Sequence, residues 1–290
     1  MNRKLVSLIA VFLLAACQRA PETKPADPKD LAVATPKEEQ DLEKALSRAA
    51  FGDAALPKGR EVLGVKDLGN GKAALVISAI PPDSDAEPGM RDMALQATIS
   101  AYLLEKVDGK WTVANRHESI TQMGAHGYAG RLTWVTLGPN RPGFAIVDKS
   151  DNRGQSVSRL ALFDLAAKDM RAMPRRQILV HSDNDGDCEG ERPHCWNVSG
   201  EWRLVQKPGQ AFADLEIAFT GVDEQRSEEA AQKANAIANA AEAEPSYEEY
   251  IVTLGPRDQR KINSTARYSL SEKGIRLVSG ENPAEVSQSE

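Results

Sequence analysis

Arg131-Leu132-Thr133-Trp134-Val135-Thr136-Leu137, then Phe144-Ala145-Ile146-Val147-Asp148-Lys149, then Ser156-Val157-Ser158-Arg159-Leu160-Ala161-Leu162-Phe163 are three short runs rich in β-branched and bulky residues. The gaps between them hold Gly138-Pro139-Asn140 and Asp151-Asn152-Arg153-Gly154, residues that favour tight turns. Strands joined by tight turns lie antiparallel to their neighbours, whereas parallel strands need helical crossovers, for which this stretch has no room.

The same grammar continues outward in both directions. Upstream, Ala73–Ile80, Leu95–Val107 and Trp111–Ile120 are bounded by Gly69-Asn70-Gly71 and Asp108-Gly109. Downstream come Gln177–Val180, Cys195–Val198, Trp202–Gln206, Asp214–Thr220, Tyr247–Leu254, Arg267–Leu270 and Gly274–Val278. This pattern predicts an all-β body, an antiparallel meander of about 10–14 strands, propeller-like or sandwich in architecture. One short N-terminal helix is expected over Glu38–Ala50, where Leu42, Leu46 and Ala49 recur at helical spacing. Val222–Glu244 breaks the strand series with helix-favouring but polar residues, and 222–246 is read as a polar helical insertion. Val135-Thr136-Leu137-Gly138-Pro139 recurs as Val252-Thr253-Leu254-Gly255-Pro256, marking either two equivalent strand-turn units or a coincidence.

The first residues are of another kind. Asn2-Arg3-Lys4 precede an apolar run from Leu5 to Leu14, too short to cross a bilayer as a mature helix, and small residues follow in Leu14-Ala15-Ala16-Cys17. The last four residues resemble the lipobox of bacterial lipoproteins. That resemblance implies that 1–16 are a signal peptide, that Cys17 is the lipidated (palmitate-bearing) mature N-terminus, and, with Gln18 rather than Asp next, that the chain is anchored in the outer membrane of a Gram-negative cell, facing the periplasm. Pro21, Pro25, Pro28 and Pro36 then make 17–37 a tether, 38–280 a β-rich periplasmic domain, and 281–290 a disordered tail, frayed from Ser279 on.

Arg3 and Lys4 leave with the leader, so 34 of the 36 basic residues face 42 acidic ones and the mature charge is −8. With no basic stripe, such a body repels phosphate backbones, which argues against nucleic acid and favours a basic protein partner.

Chemically distinctive residues concentrate in His181-Ser182-Asp183-Asn184-Asp185-Gly186-Asp187-Cys188-Glu189-Gly190-Glu191-Arg192-Pro193-His194-Cys195. Clustered carboxylates repel unless a hard cation relieves them, so Asp183, Asp185, Asp187 and Glu189 are read as calcium ligands. Set on an EF-hand-like loop with Gly186 at the sixth position, however, His181 and Arg192 fall where oxygen donors belong, so the loop is similar only to a generic acidic turn. Cys188 and Cys195 are expected to form a disulfide, worth about 2.5 kcal/mol at most for so short a loop. Zinc held by His181, Cys188, His194 and Cys195 is the alternative. Trp196 and Trp202 flank Asn197–Glu201, read as a hairpin, and are either core anchors or a partner-binding patch.

No Gly-x-Ser-x-Gly elbow is present, and the remaining histidines, His117 and His126, have no companion motif, so no catalytic residue is assigned. The functional expectation is a non-enzymatic binding module, in its sharper form an inhibitor or immunity protein against a cationic cell-wall hydrolase. The alternatives are a metal-assisted periplasmic enzyme using the 181–195 loop and an envelope-assembly scaffold.

Overall fold

Residues 37–53, 56–80, 94–188, 192–240 and 246–286 are described by the computed structural model. A four-stranded sheet takes β1 (Arg60–Gly69), β2 (Lys72–Ala79), β3 (Ala97–Val107) and β4 (Lys110–Met123) in chain order. An eight-stranded sheet takes β5 (Arg131–Gly138), β6 (Arg141–Asn152), β7 (Gln155–Asp164), β8 (Met173–Asp183), β9 (His194–Val205), β10 (Asp214–Gln225), β11 (Asp258–Ser271) and β12 (Gly274–Ser279), also in chain order. The all-β antiparallel meander is therefore present, with twelve strands among the described residues in two sheets that do not close there. Its tight turns form where the sequence places residues that tolerate positive φ: Asn70-Gly71 at 52° and 69°, Asp108-Gly109 at 51° and 78°, and Arg153-Gly154 at 48° and 77°. Two successive positive φ values are what a two-residue hairpin turn requires.

The layers follow from which strands are buried on both faces. In β2, Ala73, Leu75 and Ile77 pack with Leu46 and Ala50 of the helix α1 (Lys37–Phe51), while Ala74 and Val76 join the core beneath the second sheet. That explains the continuous apolar run Ala73–Ile77. The core between the sheets centres on Phe144 and Phe163, whose rings stack 4.5 Å apart. On the other side of β6 and β7, Ala145, Leu160 and Leu162 share a third core with Trp196 and Val198 of β9, Leu215, Ile217 and Phe219 of β10, and Ile262 and Ala266 of β11. The larger sheet thus folds back toward its own first strands, and the Ala213 N–H donates to the Leu137 carbonyl at 2.7 Å.

Three expectations require correction, and one open alternative closes. Tyr247–Leu254, read as a strand, is the helix α3, preceded by the expected polar helix, α2 (Glu228–Ala240). A capping box starts α3: Ser246 Oγ accepts from the Glu249 N–H, and the Glu249 carboxylate accepts from the Ser246 N–H. The repeated pentapeptide is consequently a strand end in β5 and a helix end at Leu254, and is no structural repeat. Asn197–Glu201 is no hairpin but the middle of β9, paired throughout with Ala218–Val222. Gly200 serves close packing there, since a Cβ would lie 2.7 Å from the Phe219 ring. Finally, in the stretch from Ser279, read as frayed and disordered, the described residues up to Val286 include a short helix, α4 (Pro283–Val286), while 287–290 lie outside the described residues. Asn282 docks it by donating to the Leu179 carbonyl at 2.9 Å and to Tyr268 Oη at 3.2 Å.

Candidate functional site

The acidic loop begins where β8 ends and returns as β9. Asn184, 1 % exposed, holds it: its backbone N–H donates to the Trp196 carbonyl, its Nδ2 to the His194 carbonyl at 2.9 Å, and its Oδ1 accepts from the Trp196 N–H at 2.8 Å. Cys188 and Cys195 are joined, with Cα atoms 5.6 Å apart, within the normal disulfide range. Thiols bonded to each other are not thiolate ligands, so the zinc set does not form.

The carboxylates of the loop point to separate partners. Asp183 contacts His181 Nε2 at 2.6 Å and accepts from the Asp185 N–H, Asp185 accepts from Asn197 Nδ2, and Asp187 pairs with Arg192. Glu189 lies outside the described residues. Among the described residues no three His, Cys, Asp or Glu side chains converge as a metal-ligand set. A calcium ion on Asp183, Asp185 and Asp187 would have to displace the partners these carboxylates already hold.

His181 lies opposite Ser199 across β8 and β9, with Nδ1 and Oγ 2.9 Å apart, so Ser199, His181 and Asp183 form one hydrogen-bond chain. Its composition matches that of acyl-transfer nucleophiles. Its setting differs, because Ser199 sits mid-strand with His181 on one side and Thr220 on the other, where backbone amides serve the sheet ladders instead of an oxyanion hole. The other loop histidine, His194, contacts Asp223 at 2.7 Å, and Asp223 also receives Arg260. Trp196 is buried at 8 % exposure and donates from Nε1 to Ser182 Oγ, while Trp202 is half-buried against the same core. Trp196 thus fills the core role rather than that of an outward anchor.

Carboxylates elsewhere are fixed in the same manner. Glu216 accepts from both Arg203 and Arg267, and the Arg203 hydrogen bond foremost, with Arg267 beside it, holds its carboxyl below the usual range. Asp148 differs. It is 2 % exposed, accepts the Gly124 N–H on Oδ2, has no partner for Oδ1 in the structure, and burial pushes its carboxyl up. It fastens the segment joining the two sheets, 124–130, which contains His126 at φ 53°.

A groove of about 630 Å³ combines these ingredients differently. Glu38, Glu39, Asp41, Leu42 and Ala45 of α1 form one wall, Val65, Lys66 and Asp67 of β1 the other, and Trp111 and Trp134 line it. Both indoles are half-buried. Trp134 is anchored edge-on against Phe144 at 5.9 Å, and Trp111 lies beneath the Lys106 ammonium at 4.9 Å. Among the described residues Glu38, Glu39 and Asp41 have no ion pair or hydrogen-bond partner for their side chains, while Asp67 accepts from the Gly69 N–H. The wall residues of α1 were read only as a helical period. What marks them is charge beside tryptophans more than sixty residues away, a proximity that only folding creates.

No protein-family model matches this chain, and no curated protein or solved structure is significantly similar to it.

Proposed function

We propose that this chain is an outer-membrane-anchored periplasmic lipoprotein whose β-rich body is a non-enzymatic binding module for a basic protein, and that the groove between α1 and β1 is its contact surface. The sharper form is inhibition of, or immunity to, a cationic cell-wall hydrolase. The observation that carries the reading is the groove itself: four carboxylates against two ammoniums, one of them held over Trp111, around two half-buried indoles. Large aromatic surfaces rimmed by charge are the usual composition of a binding hot spot, and unpaired carboxylates steer a basic partner. The leader with its lipobox-like end supports the periplasmic address in this reading, and the mature charge of −8 supports a basic partner.

The test is titration calorimetry of residues 18–290, disulfide intact, against a basic muramidase at low and physiological salt. Salt-dependent binding that is lost in Glu38→Lys/Asp41→Lys supports the reading. Binding indifferent to both substitutions, or none at either salt concentration, overturns it.

A further inference from the structure

We propose that the partner enters this groove as an extended segment that adds, as an extra strand, to the free edge of β1; this deepens the groove reading and rests on it. Among the described residues the four-stranded sheet ends at β1 and the eight-stranded sheet at β5, and these two edges touch without strand pairing. They touch at Gly64, where a Cβ would lie 3.3 Å from Leu132 Cδ2 and 3.5 Å from the Trp134 indole. A register shift between Val62 and Gly64 bends β1 at that point.

Past Gly64 the edge is open. Val65, Lys66 and Asp67 line the first groove together with Trp134 of β5, the strand that faces this edge. A second hollow of about 680 Å³ past Leu68 is bordered by residues of all four strands of the smaller sheet, Lys72, Leu103 and Asn115 among them, and is not a continuation of that edge. In a strand, successive side chains point to opposite faces. Because the first groove reaches successive residues of β1 and, across from them, Trp134 of β5, it runs beside the edge of β1, where backbone N–H and C=O groups have no sheet neighbour on that side among the described residues. The four strand residues from Val65 to Leu68, at about 3.3 Å each, make an edge of roughly 13 Å, enough for a short peptide strand. Unpaired edges are templates for strand addition, in which main-chain bonds supply affinity and alternate side chains supply specificity.

The groove chemistry selects the occupant. Glu38, Glu39 and Asp41 favour basic side chains, and Trp111, Trp134 and Leu42 favour apolar ones. A segment alternating basic and aliphatic residues satisfies both, one set toward α1 and the other toward the indoles.

The experiment uses residues 18–290 and two capped peptides that alternate Lys with Val, identical except that one is N-methylated at alternate residues along one edge. Tryptophan fluorescence reads binding, and hydrogen exchange reads the amides of Val65–Gly69. The expected result is protection of β1 by the parent peptide and binding about tenfold or more weaker for the N-methylated one, since each one to two main-chain bonds lost costs roughly that factor. Equal binding of the two peptides without protection of β1 overturns strand addition and leaves the groove reading intact, provided Glu38→Lys/Asp41→Lys still weakens both. Failure of both peptides to bind, or indifference to that charge reversal, overturns the two readings together.

Discussion

The loop corner at Asp183–His194 and the groove at Glu38–Trp134 are made of the same materials, carboxylates beside tryptophans, and use them in opposite ways. In the corner every described carboxylate has a partner: Asp183 has His181, Asp185 has Asn197, Asp187 has Arg192, and Asp223 has His194 and Arg260. Trp196 is buried, its N–H satisfied by Ser182. In the groove Glu38, Glu39 and Asp41 stand without partners among the described residues, and both indoles remain half open. The denser charge in sequence is the less available charge in space, because recognition depends on what pairing leaves over.

The largest expected effect would break the corner while sparing the groove. Asn184→Ala removes two side-chain hydrogen bonds at a 1 % exposed position and leaves buried backbone groups unsatisfied. It should lower stability by about 2–4 kcal/mol in urea unfolding, without changing affinity for a basic partner at temperatures where the protein stays folded. The converse is Glu38→Lys/Asp41→Lys. Its stability should stay within about 1 kcal/mol of the parent, apart from lost helix-dipole complementarity, while affinity falls tenfold or more and the salt dependence flattens.

Asp148 sharpens the contrast as a carboxylate that is neither paired with a cation nor open. Its folded-state carboxyl is raised by burial, so wild-type stability falls as pH rises through the carboxylate range toward the folded-state value. Asp148→Asn removes that dependence while its amide oxygen still accepts the Gly124 N–H. Its melting temperature should therefore exceed the wild type's at neutral pH, the difference closing in acid; a lower melting temperature at neutral pH would show that the buried charge is stabilised after all. Glu216 has the opposite sign. Its lowered carboxyl contributes stability above the unfolded value that is lost as pH falls through the folded one, and Arg203→Ala/Arg267→Ala should erase that acid-side loss in a pH series of melts.

The smallest effects belong to the loop. A fluorophosphonate probe should leave Ser199 unlabelled, and Ser199→Ala should cost less than about 1 kcal/mol, as for one exposed hydrogen bond. Labelling abolished by Ser199→Ala would turn the Ser199–His181–Asp183 chain into a nucleophile. Melts in calcium and in chelator should coincide, because Asp183, Asp185 and Asp187 already hold protein partners; a clear rise with calcium would restore the metal reading of that loop.

Much of the strand series was legible because it depends on local properties. Asn70-Gly71 and Asp108-Gly109 dictate tight turns through positive φ, and the period of two around them dictates strands. Where neighbouring segments outweigh local period, legibility failed. Tyr247–Leu254 has the aromatic and β-branched content of a strand, yet Tyr247, Tyr250, Ile251 and Leu254 recur at helical spacing and the Ser246–Glu249 capping box starts a helix there, a signal written in Ser-x-x-Glu that the composition obscured. Gly200 has the composition of a turn, but its missing side chain admits the Phe219 ring from the next strand.

From its own residues the chain determines an antiparallel β meander, a first helix, a polar helical insertion, an acidic surface and a cysteine pair close enough in sequence to join. Periodicity, turn stereochemistry and charge are properties of short stretches, so they survive without knowledge of the fold. Only the tertiary structure decided that Asp183, Asp185 and Asp187 are engaged while Glu38, Glu39 and Asp41 find no partner among the described residues, and that the edges of β1 and β5 meet without pairing among those residues. Those outcomes depend on cross-strand register and on contacts between segments far apart in the chain, and no local pattern encodes which side chains such contacts leave unpaired.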